Sequence, residues 1–309
     1  MSVLVVGSFI VDCVATCKRA PEAGETVVGD SYNTYLGGKG ANQAFAAIRM
    51  GSKTTMVGCV GNDGFGKQFF ETLEAEGFDT SVVKVSPNNS TGVSLVTVEH
   101  SGQNRICMTP GANLDYLPED LDKLEDLIKE SDIIVTQLEM RYDVAAHLAK
   151  LAKKHGKKFI LNPAPAAPLD DETLDGIYCI TPNETELGII INRKIETMEE
   201  YIEGAKVLLE KGCQNVIVTL GTIGSLLVNK NGHILIPAFK VKAIDTVGAG
   251  DSFTGSLSAM LDQGRKLKDA MQIATAVAAL EVQRNGAIPA MPYKEEVYSF
   301  LKEKGIELN

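Results

Sequence analysis

The chain has 309 residues, 44% of them hydrophobic and 23% charged, and its 30 Lys and Arg against 40 Asp and Glu leave a net charge of −10. So much apolar side chain excludes disorder and suffices for one large core. The acidic balance argues against a nucleic-acid binder, which carries a basic excess.

The opening run MSVLVVGSFIVDC has no basic segment and carries Asp12, so it reads as a first strand, Val3–Phe9, and not as a secretory leader. Thr54–Val60, Asp132–Gln137, Lys158–Asn162, Tyr178–Thr181 and Asn215–Leu220 follow as further strands. Most are near-continuous apolar runs, as expected of parallel strands buried on both faces. Helical spacing falls between them: Ala41, Ala44, Phe45 and Ile48 share a face, as do Leu121, Leu124 and Ile128, and Val144, Leu148 and Leu151. Ala249–Gln263, Leu267–Arg284 and Lys294–Lys304 read as closing helices. The predicted class is α/β, a central mostly parallel sheet sandwiched by helices.

Two segments depart from this alternation. Thr26–Leu36 and Thr91–Thr109 alternate β-branched and polar residues without an intervening helix, and the second turns near His100–Asn104. They predict a small antiparallel β lid, built from insertions at about 13–37 and 91–110, on a single domain spanning 1–309. The six cysteines form no CxxC pair and the four histidines show no HExxH or HxH spacing, which argues against zinc and for buried, reduced thiols in a cytoplasmic protein. No run of 18 apolar residues is present, so no membrane span is expected.

Four glycine or acidic stretches carry candidate chemistry. Gly61–Gln68 matches GxxxxGK but ends in Gln where a magnesium-binding hydroxyl belongs; it reads as a helix start, with Asp63 as cap and Lys67 solvated. Gly37-Gly38-Lys39-Gly40-Ala41-Asn42-Gln43 is not GxGxxG, because Gln43 stands at the third glycine. Two glycines followed by Lys39 and Asn42 on a first helical turn nevertheless suit close approach to a hydroxylated ligand. Gly248-Ala249-Gly250-Asp251 opens a long helix, where backbone N–H groups make an anion site. Asp251 then has two readings, a cap that complements the helix dipole, or a base beside the anion hole that takes a proton from an attacking hydroxyl. Asn183-Glu184-Thr185-Glu186 likewise fits a capping box or water-mediated magnesium and phosphate positioning.

Taken in order, GSFIVD, LGGKGANQA, QLE, NETE, VTLG and DTVGAGDSFTG resemble the ribokinase-like (PfkB) family of carbohydrate kinases over essentially the whole chain. The resemblance implies that Asp251 is the general base and that the Gly248-Ala249-Gly250 backbone is the anion hole for a phosphoryl group passing from ATP to the C5 hydroxyl of ribose. It further implies that Asp12, Gly38, Lys39, Asn42 and Glu139 hold sugar hydroxyls. Asn183 and Glu186 would serve phosphate and magnesium, and Thr219, Gly221, Gly250 and Thr275 the nucleotide. A potassium loop is implied around the Asp245 carboxylate, with backbone carbonyls of Val247, Glu281, Arg284 and Gly286, while Ala290 stands where relatives often have a serine. Ile10 replaces an asparagine found in some relatives. The family's lid often forms a homodimer interface; neither nucleic acid nor membrane is implied as a partner. Within the family, deoxyribose, fructose or nucleoside kinases remain open, and outside that chemistry a sugar-binding sensor does.

Overall fold

In a computed structural model describing residues 2–306, the parallel runs assemble into one sheet. The strands in chain order are β1 (Val3–Val6), β2 (Ile10–Cys17), β3 (Ser31–Gly37), β4 (Thr54–Val57), β5 (Cys59–Gly61), β6 (Lys84–Ser86) and β7 (Gly92–Glu99). They continue with β8 (Asn104–Thr109), β9 (Ile133–Thr136), β10 (Lys158–Leu161), β11 (Cys179–Ile180), β12 (Asn215–Thr219), β13 (Gly224–Asn229) and β14 (Gly232–Pro237). The large sheet has the order β14-β13-β12-β11-β10-β9-β1-β4, parallel from β4 to β12 and antiparallel at β12–β13 and β13–β14.

Alternate side chains feed two separate cores, because successive residues of a strand point to opposite faces. Val3, Val5, Ile133, Val135 and Ile217 pack with Phe45, Leu257, Met260, Ile273 and Val297 from the helices Lys39–Arg49, Ala249–Asp262, Leu267–Glu281 and Lys294–Glu303. Leu4, Val6, Ile134, Leu161 and Val218 pack instead with Val144, Leu148 and Leu208 from the helices Tyr142–Lys154 and Met198–Glu210. Every one of these is buried, which is why the strands read as continuous apolar runs. No helix among the described residues is long and apolar enough to cross a membrane.

The second sheet, ordered β3-β2-β7-β8, is the lid. Two antiparallel hairpin pairs, β2–β3 and β7–β8, meet through a parallel central pair, β2–β7, so the sheet is mixed and not wholly antiparallel. The first run also divides: β1 stops at Val6, and after Gly7–Phe9 the chain enters the lid as β2. Of the predicted segment Thr26–Leu36, only the part from Ser31 is strand. The predicted Leu121–Ile128 helix is broken into Pro118–Asp122 and Glu125–Glu130. Five cysteines are buried as expected, but Cys107, on lid strand β8, is exposed; all six are free thiols.

Candidate active site

The parallel strands end along one edge, and polar residues follow directly: Ser8 after β1, Gln137 and Glu139 after β9, Asn162 after β10, and Thr181 and Asn183 after β11. The chain leaves β1 toward β4 on one side, whereas β9 to β12 extend the sheet on the other. Open α/β sheets bind ligands outside the carboxyl ends of their strands at such a reversal.

Asp251 lies in the first turn of the helix Ala249–Asp262 and is only 5% exposed. It does not cap that helix; Gly248 is the N-cap, in the left-handed region at φ 93°, with no side-chain cap bond. The carboxylate instead accepts from Asn42 Nδ2 at 2.9 Å on Oδ2 and from Gln43 Nε2 at 3.0 Å on Oδ1. Gln43 Nε2 also donates to Asn162 Oδ1 at 3.1 Å, Gln137 Nε2 donates to Gln43 Oε1 at 2.6 Å, and Asn162 donates to the Thr181 carbonyl at 3.0 Å. A buried amide chain from one helix and two strand ends therefore aims one carboxylate. Its donors are engaged, which fixes orientation, while among the described residues Gln137 Oε1 and Asn42 Oδ1 are buried oxygens without a donor.

Beside it, Gly38 caps the helix Lys39–Arg49 at φ 87°, and a Cβ there would stand 2.6 Å from the Ile10 nitrogen, so only glycine fits. The charges of four acids act on the Lys39 amine: Asp251 above all, then Glu139, Glu186 and Asp12 hold it protonated beyond its ordinary range, against the opposing effect of burial. Burial pushes the Glu139 carboxyl up although Lys39 and Ser8 oppose this. Its Oε2 accepts from Ser8 Oγ at 2.5 Å and from the Lys39 backbone N–H at 2.8 Å. Asp12 on β2 is raised likewise by burial, against a Ser94 hydrogen bond and Lys39. A Cβ built on Gly37 would lie 3.3 Å from Asp12 Oδ2 and 3.6 Å from Asn42 Oδ1, which puts these two acceptors around one small residue. Among the described residues, Asn42 Oδ1 is buried without a partner. An acceptor left open in a ring of Asp, Glu and Lys suits a polyhydroxylated ligand.

Farther along the edge, Asn183 caps the helix Glu184–Ile190 in a reciprocal box with Glu186, at 2.8 Å in both directions. The capping arrangement is thus real, and it uses Glu186 Oε2. Burial raises the Glu186 carboxyl. Thr219 at the end of β12 bridges to Asn183, and its N–H donates to the Pro182 carbonyl at 2.9 Å, so the NETE and VTLG segments adjoin. Gly221 follows at φ 52° with open space around it. Thr275 is buried, its hydroxyl donating to the Met271 carbonyl at 2.8 Å.

The segment preceding Gly248 is strapped to the end of the helix Leu267–Glu281. Asp245 Oδ1 accepts from the Val247 N–H and Oδ2 from the Gly286 N–H, both at 3.0 Å. Ile244 N–H donates to the Val282 carbonyl at 2.7 Å. Burial, with the Asp245 and Asp251 charges added, pushes the Glu281 carboxyl up to about 9.

Asp12, Lys39, Asn42, Glu139, Glu186 and Asp251, separated by up to 239 positions, therefore converge. The GxxxxGK match stands apart: Asp63 accepts from the Gly66 N–H at 2.8 Å as an N-cap, and Lys67 is solvent-exposed beside Glu71. Sequence reasoning missed Gln43, Gln137 and Asn162 as positioning residues, because amides scattered on one helix and two strand ends have no spacing signature.

A family model described as pfkB family carbohydrate kinase matches residues 1–294. The chain is 37% identical over 307 residues to a ribokinase of Schizosaccharomyces pombe, covering 96% of each chain, and 36% identical to a deoxyribokinase of Salmonella typhi, covering 97% of this chain and 99% of the other. A solved Arabidopsis thaliana ribokinase complexed with ribose and ATP superimposes with a TM-score of 0.93 at 32% identity, covering 97% of this chain and 98% of that one. A likeness of that extent, over nearly the whole chain, makes this chain a member of the pfkB family of carbohydrate kinases.

Proposed function

We propose that the chain transfers the γ-phosphoryl group of ATP to the 5-hydroxyl of D-ribose, giving ribose 5-phosphate and ADP. The observation that carries this reading is Asp251, a buried carboxylate aimed by two amide donors at the start of a helix. Asp12, Lys39, Asn42 and Glu139 orient the sugar, and the unpartnered Asn42 Oδ1 receives one of its hydroxyls. Asp251 accepts the 5-hydroxyl proton as the oxygen attacks the γ-phosphorus and the bond to the ADP oxygen breaks. The first N–H groups of the helix have no partner within it, and that of Ala249 is held only by a long 3.4 Å bond to the Thr246 carbonyl, so those of Ala249 and Gly250 meet the charge on the phosphoryl oxygens. Phosphoryl transfer asks for this kind of positioning and charge stabilisation, with little covalent work from the protein.

Asn183, Glu186, Thr219, Gly221 and Thr275 line the nucleotide side of the same edge in this reading. Magnesium carried with ATP neutralises phosphate charge; Glu186, whose cap uses only Oε2, fits a role in holding its waters. A monovalent cation of potassium type fits the Asp245 strap, with carbonyls of Val247, Glu281, Arg284 and Gly286, because Glu281 there keeps two buried oxygens without donors among the described residues. The lid joins two copies: Leu95, Cys107 and Tyr32 are exposed on the face opposite Asp12. Reduced thiols fit a cytoplasmic location.

Ile10 favours a second substrate. It is buried, lies two residues before Asp12 on β2, and so shares its face. An apolar side chain there suits 2-deoxyribose, which has one hydroxyl fewer to satisfy. A coupled ADP-release assay across ribose, 2-deoxyribose, fructose and adenosine, with and without KCl, separates these. Ribose-dependent turnover is expected; turnover confined to 2-deoxyribose moves the assignment, and sugar binding without any turnover leaves a sensor.

A further inference from the structure

Glu281 ends the helix Leu267–Glu281 with a side chain that is 0% exposed, and neither carboxyl oxygen has a hydrogen-bond partner among the described residues. A buried acid in that condition calls for a countercharge. The nearest basic residue in sequence does not supply it: Arg284 pairs outward with Glu296 and donates to the Ala290 carbonyl at 3.4 Å. The charges that act on Glu281 are Asp245 and Asp251, both negative. Its Oε1 lies against the N-cap of the catalytic helix, since a Cβ built on Gly248 would stand 3.0 Å from it.

Asp245 approaches the same turn from the strap, and each of its oxygens already accepts one backbone N–H. The Glu281 carbonyl likewise accepts from the Arg284 N–H at 3.0 Å. Of the side chains at 245, 247, 281, 284, 286 and 290, only those of Asp245 and Glu281 carry oxygen, and only Glu281 leaves both oxygens open.

We propose that the Glu281 carboxylate is itself a ligand of the cation at the Asp245 strap, so that the ion sits between two carboxylates and backbone carbonyl oxygens. This rests on the cation reading given above and extends it from a backbone contribution at position 281 to a charged side-chain one. An all-oxygen set with two negative charges takes hard alkali or alkaline-earth ions and not thiophilic metals. Because Oε1 abuts Gly248, the bound ion joins the helix end at Glu281 to the turn that presents Ala249 and Gly250.

The test is thermal melting without nucleotide or sugar, titrating KCl or CaCl2 against choline chloride at matched ionic strength. The parent is expected to gain Tm saturably with at least one of the two ions. Glu281→Gln, which keeps the shape but not the charge, is expected to melt in choline no lower than the parent. Its cation midpoint should be higher by at least the roughly tenfold that loss of even an outer-shell partner costs a metal site. Glu281→Ala is melted in parallel, so that poor folding of one variant does not decide the matter. Unchanged midpoints in the folded variants overturn the Glu281 ligand and leave the strap cation standing. A parent with no cation-specific stabilisation overturns both.

Discussion

Gln43→Leu isolates the aiming of Asp251 from its chemistry. The substitution removes the Nε2 bond to Asp251 Oδ1, the bond to Asn162 Oδ1, and the acceptor of Gln137 Nε2, all among buried residues. Asp251 keeps Asn42 and Asn162 keeps the Thr181 carbonyl, so neither is fully orphaned. An unsatisfied buried group costs about 1–3 kcal/mol and coupled neighbours do not add, so a stability loss of about 2–4 kcal/mol is expected. In a chain of this size that is a fall in Tm of roughly 3–6 °C. A hydrogen bond to a charged group contributes about 1.5–3 kcal/mol. If it serves the attacking geometry, kcat falls by about 10- to 100-fold. Ribose KM should stay close to the parent's, since Asp12, Lys39, Asn42 and Glu139 are untouched. Steady-state ADP release below the variant's melting range measures this, with the core variant Leu148→Ala as a similarly destabilised control away from the site. Parental kcat in Gln43→Leu, alongside a lowered Tm, would refute the aiming role and leave the amides as packing alone.

Other perturbations probe the remaining parts. Gly250→Ala adds a Cβ that meets nothing within 4 Å, so Tm should hold or rise with helix propensity. The same methyl enters the proposed phosphoryl space, and kcat should drop on the order of 10²-fold; full activity would remove Gly250 from the anion hole. Leu95→Glu charges the outward lid face at a residue 58% exposed; sedimentation is expected to show a dimer for the parent and monomers for the variant, and a monomeric parent would overturn the lid interface. In Asp120, burial is outweighed by hydrogen bonds from Lys84, Lys123 and the Leu117 N–H, which bring its pKa down to about 2. A depressed carboxyl stabilises above its unfolded pKa and loses this as pH falls through the folded value. Asp120→Asn should therefore flatten the decline of urea stability between pH 4 and 2 by on the order of 1–2 kcal/mol; an unaltered decline would place that acid limb elsewhere.

The parallel sheet was legible because Val3–Val6, Ile133–Thr136 and Phe159–Leu161 are buried on both faces, and burial of that kind writes itself as an unbroken apolar run. The turn from β1 into β2 was not: both halves of VLVVGSFIV are apolar, so no change of period marks where the chain leaves one sheet for the other. The parallel β2–β7 pairing joins residues about 80 apart and depends on contacts that local patterning does not encode. The β13–β14 hairpin carries only a short local mark, the turn Lys230-Asn231 ahead of Gly232 between two apolar stretches. Within the site, Asp251 and Lys39 were found because glycine-rich helix starts announce them. Gln43, Gln137 and Asn162 acquire their role only when three separate strand and helix ends meet. Glu281 had a faint signal, a single acid inside the apolar run AVAALEV, whose meaning depends on its burial against Gly248.

The central claim, that Asp251 takes the proton from the sugar hydroxyl, is tested most directly by Asp251→Asn, with single-turnover phosphoryl transfer and ribose binding measured on the same preparation. An amide keeps the shape but cannot accept that proton, and its NH2 group faces the donors of Asn42 or Gln43. The expected result is transfer slowed on the order of 10²-fold or more, with ribose still bound. Transfer at close to the parental rate, with binding unchanged, would contradict the assignment of the base.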